Sequence, residues 1–310
     1  MLIQTKSAPV GWLAFELNVL RRLKFGSVAS PFTPEPLLGM YLKRHDIRVI
    51  ANDPLQSSWT RSLAFIQNNS EKLTDADVET ILEDVYVPGY KLRNPALRTW
   101  FSETDAWWFD NIRANLDRLS SPLAFAVGTS LVISVGDYAL SFTEETREIR
   151  QPLSKAFQRF RSILPEPVNN GESNSCRNQT IKEFIAESHC DLMFLRLPPS
   201  RTTNRLAVSD KSVWREEWLR GGNEFWPAFE ASRNGMLGMA VEMKSQYLRL
   251  VEETLDIARH IKQWAIAHVE TGLISTQEMV DTVARVKNVK AVYTKDFSEL
   301  TGTKGVIITA

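Results

Sequence analysis

The amino-acid sequence predicts an α/β fold with a mostly parallel sheet, an antiparallel C-terminal hairpin and a helical insertion. Towards both ends of the chain, short apolar runs stop at polar or proline residues and alternate with helical patterns, as parallel strands and their connecting helices do. The region between them has helical periodicity. Two β-branched runs separated by a polar loop close the sequence, which is typical of a hairpin.

Each strand is predicted from where its apolar run ends. Arg48–Ala51 ends in Asn-Asp-Pro, Asp191–Leu195 ends shortly before a proline pair, and Gln263–Val269 is a third run. Polar and proline residues of this kind end strands at the carboxyl edge of an open sheet. The two runs of the hairpin are Val289–Thr294 and Gly305–Thr309.

Capping patterns locate two helix starts. Ser275 with Glu278 is a capping box that opens a helix running to about Val286, and Thr74 with Asp77 has the same spacing. Together with a helical pattern through residues 107–119, these signals divide the chain as follows: an α/β domain of residues 1–70 and 165–310, and a helical insertion of residues 71–164. Pro, Asn, Gly and Ser crowd into residues 165–178, which are predicted to be a loop.

The balanced net charge argues against a protein that coats nucleic acid by overall electrostatic attraction. The 310 residues contain 37 Lys and Arg against 37 Asp and Glu, so no global basic field drives the chain onto nucleic acid. The apolar stretch Val10–Leu20 is interrupted by Glu16 and Asn18, which fits neither a signal peptide nor a membrane-spanning helix. We expect a cytoplasmic protein without a membrane partner.

Cysteine and histidine spacing gives no sign of a metal site. Cys176 and Cys190 are the two cysteines of the chain, and no second pair or histidine lies near them at ligand spacing. The four histidines also lack ligand spacing. We therefore predict no disulfide framework and no metal cofactor.

Three segments in order carry a resemblance to a known family. Residues 30–53 read SPFTPEPLLGMYLKRHDIRVIAND, residues 178–185 read NQTIKEFI, and residues 191–200 read DLMFLRLPPS. They resemble the D12-type family of N6-adenine DNA methyltransferases, which has an Asp-Pro-Phe-x-Gly-x-Gly turn, a strand ending in Asn-Asp, an Asn-x-Asp-Ala-x-Glu-Phe-Leu segment and an Asp-Pro-Pro-Tyr loop. Residues 264–310 resemble its closing strand, helix and hairpin. The resemblance covers nearly the whole chain and implies a Rossmann-like methyltransferase fold.

The catalytic loop of that family is degenerate in this chain. In the family, an Asp or Asn side chain and a proline carbonyl accept the hydrogens of the target amine, and an aromatic residue stacks on the flipped base. If Pro198 is the second proline of the family loop, the acceptor position is Arg196 and the aromatic position is Pro199. If the proline pairs are aligned directly, these positions are Leu197 and Ser200. Arginine only donates and leucine does neither, so no catalytic residue is expected.

The cofactor turn also departs from the family pattern. Pro34 and Pro36 stand where the family has glycines, and each proline fixes φ and removes an N–H donor. The acidic positions of the family are Ser30 and Thr180 here. The resemblance therefore implies that S-adenosylmethionine binding is weak or lost.

Three positions keep the character of a cofactor site. Phe32, Asn52 and Asp53 are the candidate cofactor-binding residues, and Asp53 corresponds to the family acid that accepts bonds from the ribose hydroxyls. A turn or helix-cap role before Pro54, for which Asp is well suited, is the simpler alternative. Both roles stay open at this point.

Arginine and aromatic residues are interleaved in the predicted insertion. Arg98, Arg113 and Arg118 are the candidate DNA-binding residues, because arginine contacts phosphates while nearby aromatics stack on bases. The resemblance implies that this insertion takes part in target recognition. The alternative is an amphipathic helix with an aromatic core face and an arginine rim.

A second aromatic cluster follows the degenerate loop. Trp214 and Trp218 are four residues apart and so share a helical face. We predict that they pack in the interior, with a partner-binding patch as the alternative.

Three functional hypotheses follow. The first is a catalytically degenerate methyltransferase-like protein, a pseudoenzyme that binds DNA or a protein partner such as an active methyltransferase paralogue. The second is an active S-adenosylmethionine-dependent adenine-specific DNA methyltransferase with a divergent acceptor loop. The third is a small-molecule-binding α/β protein whose pocket lies at the carboxyl edge of the sheet, with Arg196 as an anion ligand.

Overall fold

The computed structural model of the chain describes residues 11–84, 89, 91–199, 211–270 and 274–310. Its strands are β1 (Ser27–Ser30), β2 (Arg48–Asn52), β3 (Ser175–Arg177), β4 (Leu192–Arg196), β5 (Gln263–Glu270), β6 (Ala291–Phe297) and β7 (Thr303–Thr309). Its α-helices are α1 (Trp12–Leu20), α2 (Leu37–Lys43), α3 (Gln56–Ser62), α4 (Asp75–Leu82), α5 (Glu103–Leu116), α6 (Pro122–Ala139), α7 (Leu153–Ser162), α8 (Ile181–Glu187), α9 (Lys211–Arg220), α10 (Trp226–Ser232), α11 (Lys244–Ile257), α12 (Thr276–Val286) and α13 (Ser298–Thr301). A π-helical turn (Leu63–Gln67) continues α3, and 3-10 turns lie at Pro95–Thr99, Glu144–Ile149 and Ala258–His260.

The strands form one sheet in the order β3-β2-β1-β4-β5-β7-β6. The first five are parallel, with Ala29 of β1 opposite Ile50 of β2 and Met193 of β4. The seventh strand runs antiparallel between β5 and β6. The predicted fold class, a mostly parallel sheet with an antiparallel C-terminal hairpin, is confirmed. Because the chain leaves β3 and returns to the opposite side of β1, the strand order reverses between β1 and β4, and open sheets bind ligands beyond the carboxyl ends at such a point.

Alternating strand residues cover the two faces of the sheet. Ala29, Ile50 and Met193 point into one apolar cluster, which α8, α11 and α12 complete. Val28 and Val49 point into the opposite cluster, which α1, α2 and the π-helical turn complete. A parallel sheet needs both faces covered, so its strands are almost wholly apolar. The helices on both faces thereby hold the strand ends in a fixed register.

A third apolar cluster is helical. Its residues come mainly from α4, α5, α6 and α7, in agreement with the helical pattern expected for the middle of the chain. Trp214 and Trp218 of α9 pack into it, 0% and 1% exposed. The predicted core packing of these two tryptophans is therefore confirmed. The Trp214 ring lies so close to Gly136 of α6 that no side chain fits at that position.

Among the described residues, α6 is the helix whose length and composition would allow it to cross a membrane. Its 18 residues have a mean hydropathy of 1.3, and 78% of them are buried inside the fold. The apolar side chains thus contact other helices of the protein. This burial is that of a core helix.

Helix starts follow the predicted capping boxes, whereas two strands differ from expectation. Thr74 caps α4 and Ser275 caps α12, each with reciprocal bonds to the third helical residue.

The segment 165–178 was expected to be a loop throughout, but its end forms β3, which pairs with β2 at the sheet edge. The central strand β1 has only Val28 and Ala29 between serines, too short an apolar run to be identified from the sequence.

Candidate functional site

The loops after β1, β2 and β3 are joined by one side chain at the carboxyl edge. The Asn52 amide nitrogen donates to the carbonyls of Pro31 at 3.1 Å and Gln179 at 3.2 Å. Its oxygen accepts from the backbone N–H of Gln179 at 2.9 Å. Asn52 is 1% exposed, so each of these bonds satisfies a group shielded from water. Asn52 therefore fixes the shape of the edge.

Asp53 organises the turn that follows β2. One carboxylate oxygen accepts from the backbone N–H of Leu55 at 2.9 Å and the other from that of Thr33 at 3.1 Å. Burial raises the pKa of Asp53 to about 7, although these two N–H donors and the charge of Arg233 favour the ionised form. The observed bonds are those of the turn-forming role. They link the loop after β2 to the loop after β1.

A pocket of about 210 Å³ opens beyond the ends of β2 and β3. Phe32 and Pro54 line one side, and Thr180, the N-cap residue of α8, lines another. Of the predicted cofactor residues, Phe32 reaches the pocket directly, while Asn52 and Asp53 hold the loops that form its floor. The sequence-predicted residues 32, 52 and 53 are thus brought together.

The remaining wall was missed by sequence reasoning. Arg220 at the end of α9, Phe229 in α10, and Arg233 and Leu237 beyond it complete the pocket. The guanidinium carbons of Arg220 and Arg233 lie 5.8 Å and 5.3 Å from the centroid of the Phe229 ring. The arginine and aromatic residues around Gly221-Gly222 were the available signal, but no local pattern places them over the edge of the sheet.

Nearer the strand reversal, the turn after β1 is closed by ion pairs. Glu35 accepts from Arg61 at 2.6 Å and from Arg215 at 3.2 Å. Arg215 is 4% exposed and also pairs with Asp137 of α6. The crevice beneath the turn measures about 10 Å³, which is room for about one water molecule. Glu35 therefore ties the turn to the helical cluster and does not face an open cofactor cleft.

The end of β4 carries a buried ion pair. Arg196 donates from Nε at 2.9 Å and from Nη2 at 2.7 Å to the two carboxylate oxygens of Glu16 in α1. Glu16 is fully buried and the Arg196 side chain is 20% exposed. Such a two-point pair uses two N–H donors along one edge of the planar guanidinium. Arg196 is thus salt-bridged within the chain.

The residues after Arg196 are also engaged within the chain. Leu197 is 8% exposed in the core, and its N–H donates to the carbonyl of Ala267 at 2.9 Å. The carbonyl of Pro198 accepts from the hydroxyl of Tyr247 at 2.7 Å. Pro199 is exposed. Ser200, the last residue of the degenerate motif, lies outside the described residues.

The three candidate DNA-binding arginines each have an acidic partner. Arg98 makes two bonds of 2.8 Å to Glu103, Arg113 pairs with Asp117 at 2.6 Å, and Arg118 pairs with Glu83. Ten residues of α5, about 15 Å of helix, separate Glu103 from Arg113. Arg113 and Arg118 therefore lie together near the end of α5, and Arg98 lies beyond its start.

No group of three or more His, Cys, Asp or Glu side chains among the described residues is placed to hold a metal ion. Both cysteines are free thiols. Burial raises the pKa of the Cys176 thiol well above its usual range. A neutral, buried thiol is a poor nucleophile.

An open sheet with this strand order and a pocket at its carboxyl edge defines a Rossmann-like α/β protein. No protein-family model matches the chain. The sequence is similar to that of the Type II methyltransferase M2.HphI of Haemophilus parahaemolyticus. The identity is 21% over an alignment of 312 positions, which covers 91% of this chain and 86% of that protein. Fold and similarity together make the chain methyltransferase-like.

Proposed function

We propose that this chain is a catalytically degenerate relative of the D12-type N6-adenine DNA methyltransferases, a pseudoenzyme of the cytoplasm that acts as a DNA- or protein-binding subunit. The observation that carries this proposal is the Arg196–Glu16 ion pair at the end of β4. It occupies the place where the acceptor of the target amine is expected.

Transfer of a methyl group to an exocyclic amine needs acceptors for the hydrogens of that amine. In one alignment the acceptor is Arg196, which has donors only and is paired with Glu16. In the other it is Leu197, and the neighbouring carbonyl of Pro198 already accepts from Tyr247. Loss of one preorganised hydrogen-bonding group in an active site typically lowers kcat about 10²- to 10³-fold. Both alignments therefore support an absence of adenine methylation.

Cofactor binding is proposed to be weak or lost for a related reason. The Pro34-Glu35-Pro36 turn is held by Arg61 and Arg215, and about 10 Å³ lies beneath it. Asp53, the candidate ribose ligand, uses its two carboxylate oxygens on backbone N–H groups. S-adenosylmethionine would have to displace these contacts.

The similarity to a Type II methyltransferase supports DNA, or an active methyltransferase paralogue, as the partner. Arg98, Arg113 and Arg118 are the proposed DNA contacts on the helical insertion of residues 71–164. In each of them a carboxylate partner competes with a phosphate for the guanidinium, so binding is expected to be local and sensitive to salt.

The test is transfer of labelled methyl from S-adenosylmethionine to DNA of mixed sequence, with a known adenine methyltransferase as the positive control. We expect incorporation at background level, and retention of the chain by immobilised DNA or by an active methyltransferase of the same host. Incorporation above background that is lost in Asp53→Asn but kept in the surface variant Arg249→Gln would overturn the proposal. Retention by neither partner would also contradict it.

The second candidate is an active adenine-specific methyltransferase with a divergent acceptor loop. Its support is the extent of the similarity, which covers 91% of this chain and 86% of the methyltransferase. The same methyl-transfer experiment separates the two candidates.

A further inference from the structure

The pocket beyond β2 and β3 has two cationic side chains on one wall. Arg220 donates from Nε to the Glu216 carboxylate at 2.6 Å, and this is its one hydrogen bond among the described residues. The Nη nitrogens of Arg220 therefore remain as donors for a ligand. Arg233 donates from Nη2 to the carbonyl of Gly238 at 2.8 Å, and its guanidinium carbon lies 5.3 Å from the centroid of the Phe229 ring. This wall therefore combines the Phe229 ring with two guanidinium groups near it.

The opposite wall suits a flat heterocycle. Phe32, Pro54 and Ile181 supply apolar surface, while Asn178 and Thr180 supply polar groups at its margin. The Asn178 amide nitrogen donates to the carbonyl of Asp53 at 2.7 Å, which orients the side chain at the pocket. Apolar walls with a few oriented polar groups are typical of sites for small ligands.

No carboxylate lines this pocket among the described residues. The two nearby acids, Asp53 and Glu216, are 4% and 0% exposed. Glu216 accepts from the N–H groups of Gln56 and Ser57 at 2.8 Å each, at the start of α3. The charges of these two acids are thus buried, whereas Arg220 and Arg233 line the pocket.

This arrangement discriminates between ligands by charge. A sulfonium cofactor carries positive charge, which two arginines repel, whereas they attract a phosphate. The pocket measures about 210 Å³, which is at the small end for ligand sites. The crevice towards the end of β1 is closed to all but about one water molecule. The pocket therefore has room for a base and its sugar, with an anion at the arginine wall.

We propose that the pocket between Phe32 and the Arg220–Phe229–Arg233 wall binds a nucleoside 5′-phosphate unit, either free or within single-stranded DNA, in place of S-adenosylmethionine. This inference rests on the proposed loss of S-adenosylmethionine binding. The base stacks against the aromatic side chains, and the phosphate accepts from the Nη nitrogens of Arg220.

The experiment uses the full chain and isothermal titration with AMP, adenosine and S-adenosylmethionine, and fluorescence anisotropy with a labelled 12-nucleotide single-stranded DNA. We expect AMP or the oligonucleotide to bind at least about tenfold more tightly than adenosine and than S-adenosylmethionine, since a charged hydrogen bond to phosphate contributes about this much. AMP binding without oligonucleotide binding identifies a free nucleotide as the source, and the reverse identifies DNA.

Arg220→Gln should lower this affinity at least tenfold and leave adenosine affinity unchanged, whereas Arg249→Gln on α11 should change neither. If Arg220→Gln fails to fold, the ratio of AMP to adenosine affinity in the unaltered chain still decides. Equal binding of AMP and adenosine, tighter binding of S-adenosylmethionine, or binding of neither nucleotide nor oligonucleotide would overturn the inference. Background methyl transfer together with absent AMP and oligonucleotide binding would refute this inference while leaving the catalytic part of the proposed function intact.

Discussion

Arg196, the last residue of β4, forms a two-point ion pair with Glu16 of α1, at 2.9 Å and 2.7 Å. The two residues are 180 positions apart. The pair fastens α1 to the end of a central strand, at the position to which the proposed relationship with the D12 family assigns the acceptor of the target amine. The role of the Arg196–Glu16 pair is structural, because a guanidinium offers no hydrogen-bond acceptor to a target amine.

Glu16→Gln should destabilise the fold. The substitution leaves the largely buried Arg196 charge without its counter-charge, and the expected loss is about 2–3 kcal/mol in the free energy of unfolding, since the arginine keeps some contact with water. Urea denaturation measures it. Arg259→Gln is the matched control, because its pair with Asp256 is 63% and 60% exposed and should contribute less than about 1 kcal/mol. Equal effects of the two variants would show that the buried pair contributes no more than a surface pair.

Tyr247→Phe should lower the free energy of unfolding by about 1–2 kcal/mol. It removes the hydroxyl that donates to Pro198 and leaves that carbonyl without its partner in a part-buried place. Tyr41→Phe is the control, because the Tyr41 side chain is 40% exposed and changes of this kind at the surface stay within about 0.5 kcal/mol. If Tyr247→Phe gained measurable methyl transfer, the freed carbonyl would be an active acceptor and the proposed function would be wrong.

Asp53 should make the fold less stable as the pH rises from about 4 to about 7. Its pKa is about 7 in the folded chain and 3.8 by its ordinary value, so in this window the folded state holds a proton that the unfolded state has released. The free energy of unfolding then falls with pH, by up to about 1.4 kcal/mol per unit, and levels off above pH 7. Asp53→Asn removes this contribution. The difference between the two chains should therefore shift in favour of the variant from pH 4.5 to 7.5, and a constant difference would contradict the raised pKa.

DNA binding through the helical insertion predicts opposite effects for the two members of an exposed pair. Arg98→Gln should weaken DNA binding and reduce the slope of log affinity against log salt by about 0.9, the value for one phosphate contact. Glu103→Gln should strengthen binding, because it frees Arg98 from its carboxylate partner. Fluorescence anisotropy over a range of salt concentrations measures both. Unchanged affinity in both variants would exclude Arg98 as a DNA contact.

Local patterns predicted much of the sheet and the starts of two helices. The runs that became β2, β4 and β5 are apolar and end at polar or proline residues, and the boxes at Thr74 and Ser275 form within four residues. In contrast, β3 lies in a segment rich in Asn, Gly and Ser, and its pairing with β2 overrides that local preference.

In the candidate site, too, the residues that follow a predicted strand could be placed from the sequence, whereas those brought in by tertiary folding could not. Asn52 and Asp53 could be placed at the carboxyl edge because they directly follow a predicted strand. The wall formed by Arg220, Phe229 and Arg233 depends on how α9 and α10 fold over that edge. The pairing of Glu16 with Arg196 likewise joins distant parts of the chain, for which a single sequence holds no signal.

The position of α9 has a consequence for how the molecule unfolds. One helix places Trp214 and Trp218 in the helical core, Arg215 on the turn after β1, and Arg220 at the edge pocket. Unravelling α9 would therefore disrupt all three regions at once. Its central backbone amides are expected to exchange with deuterium only through near-global unfolding, and a fragment of residues 71–164 would expose the apolar surface that the two tryptophans cover. We expect α9 to be the cooperative link of the fold.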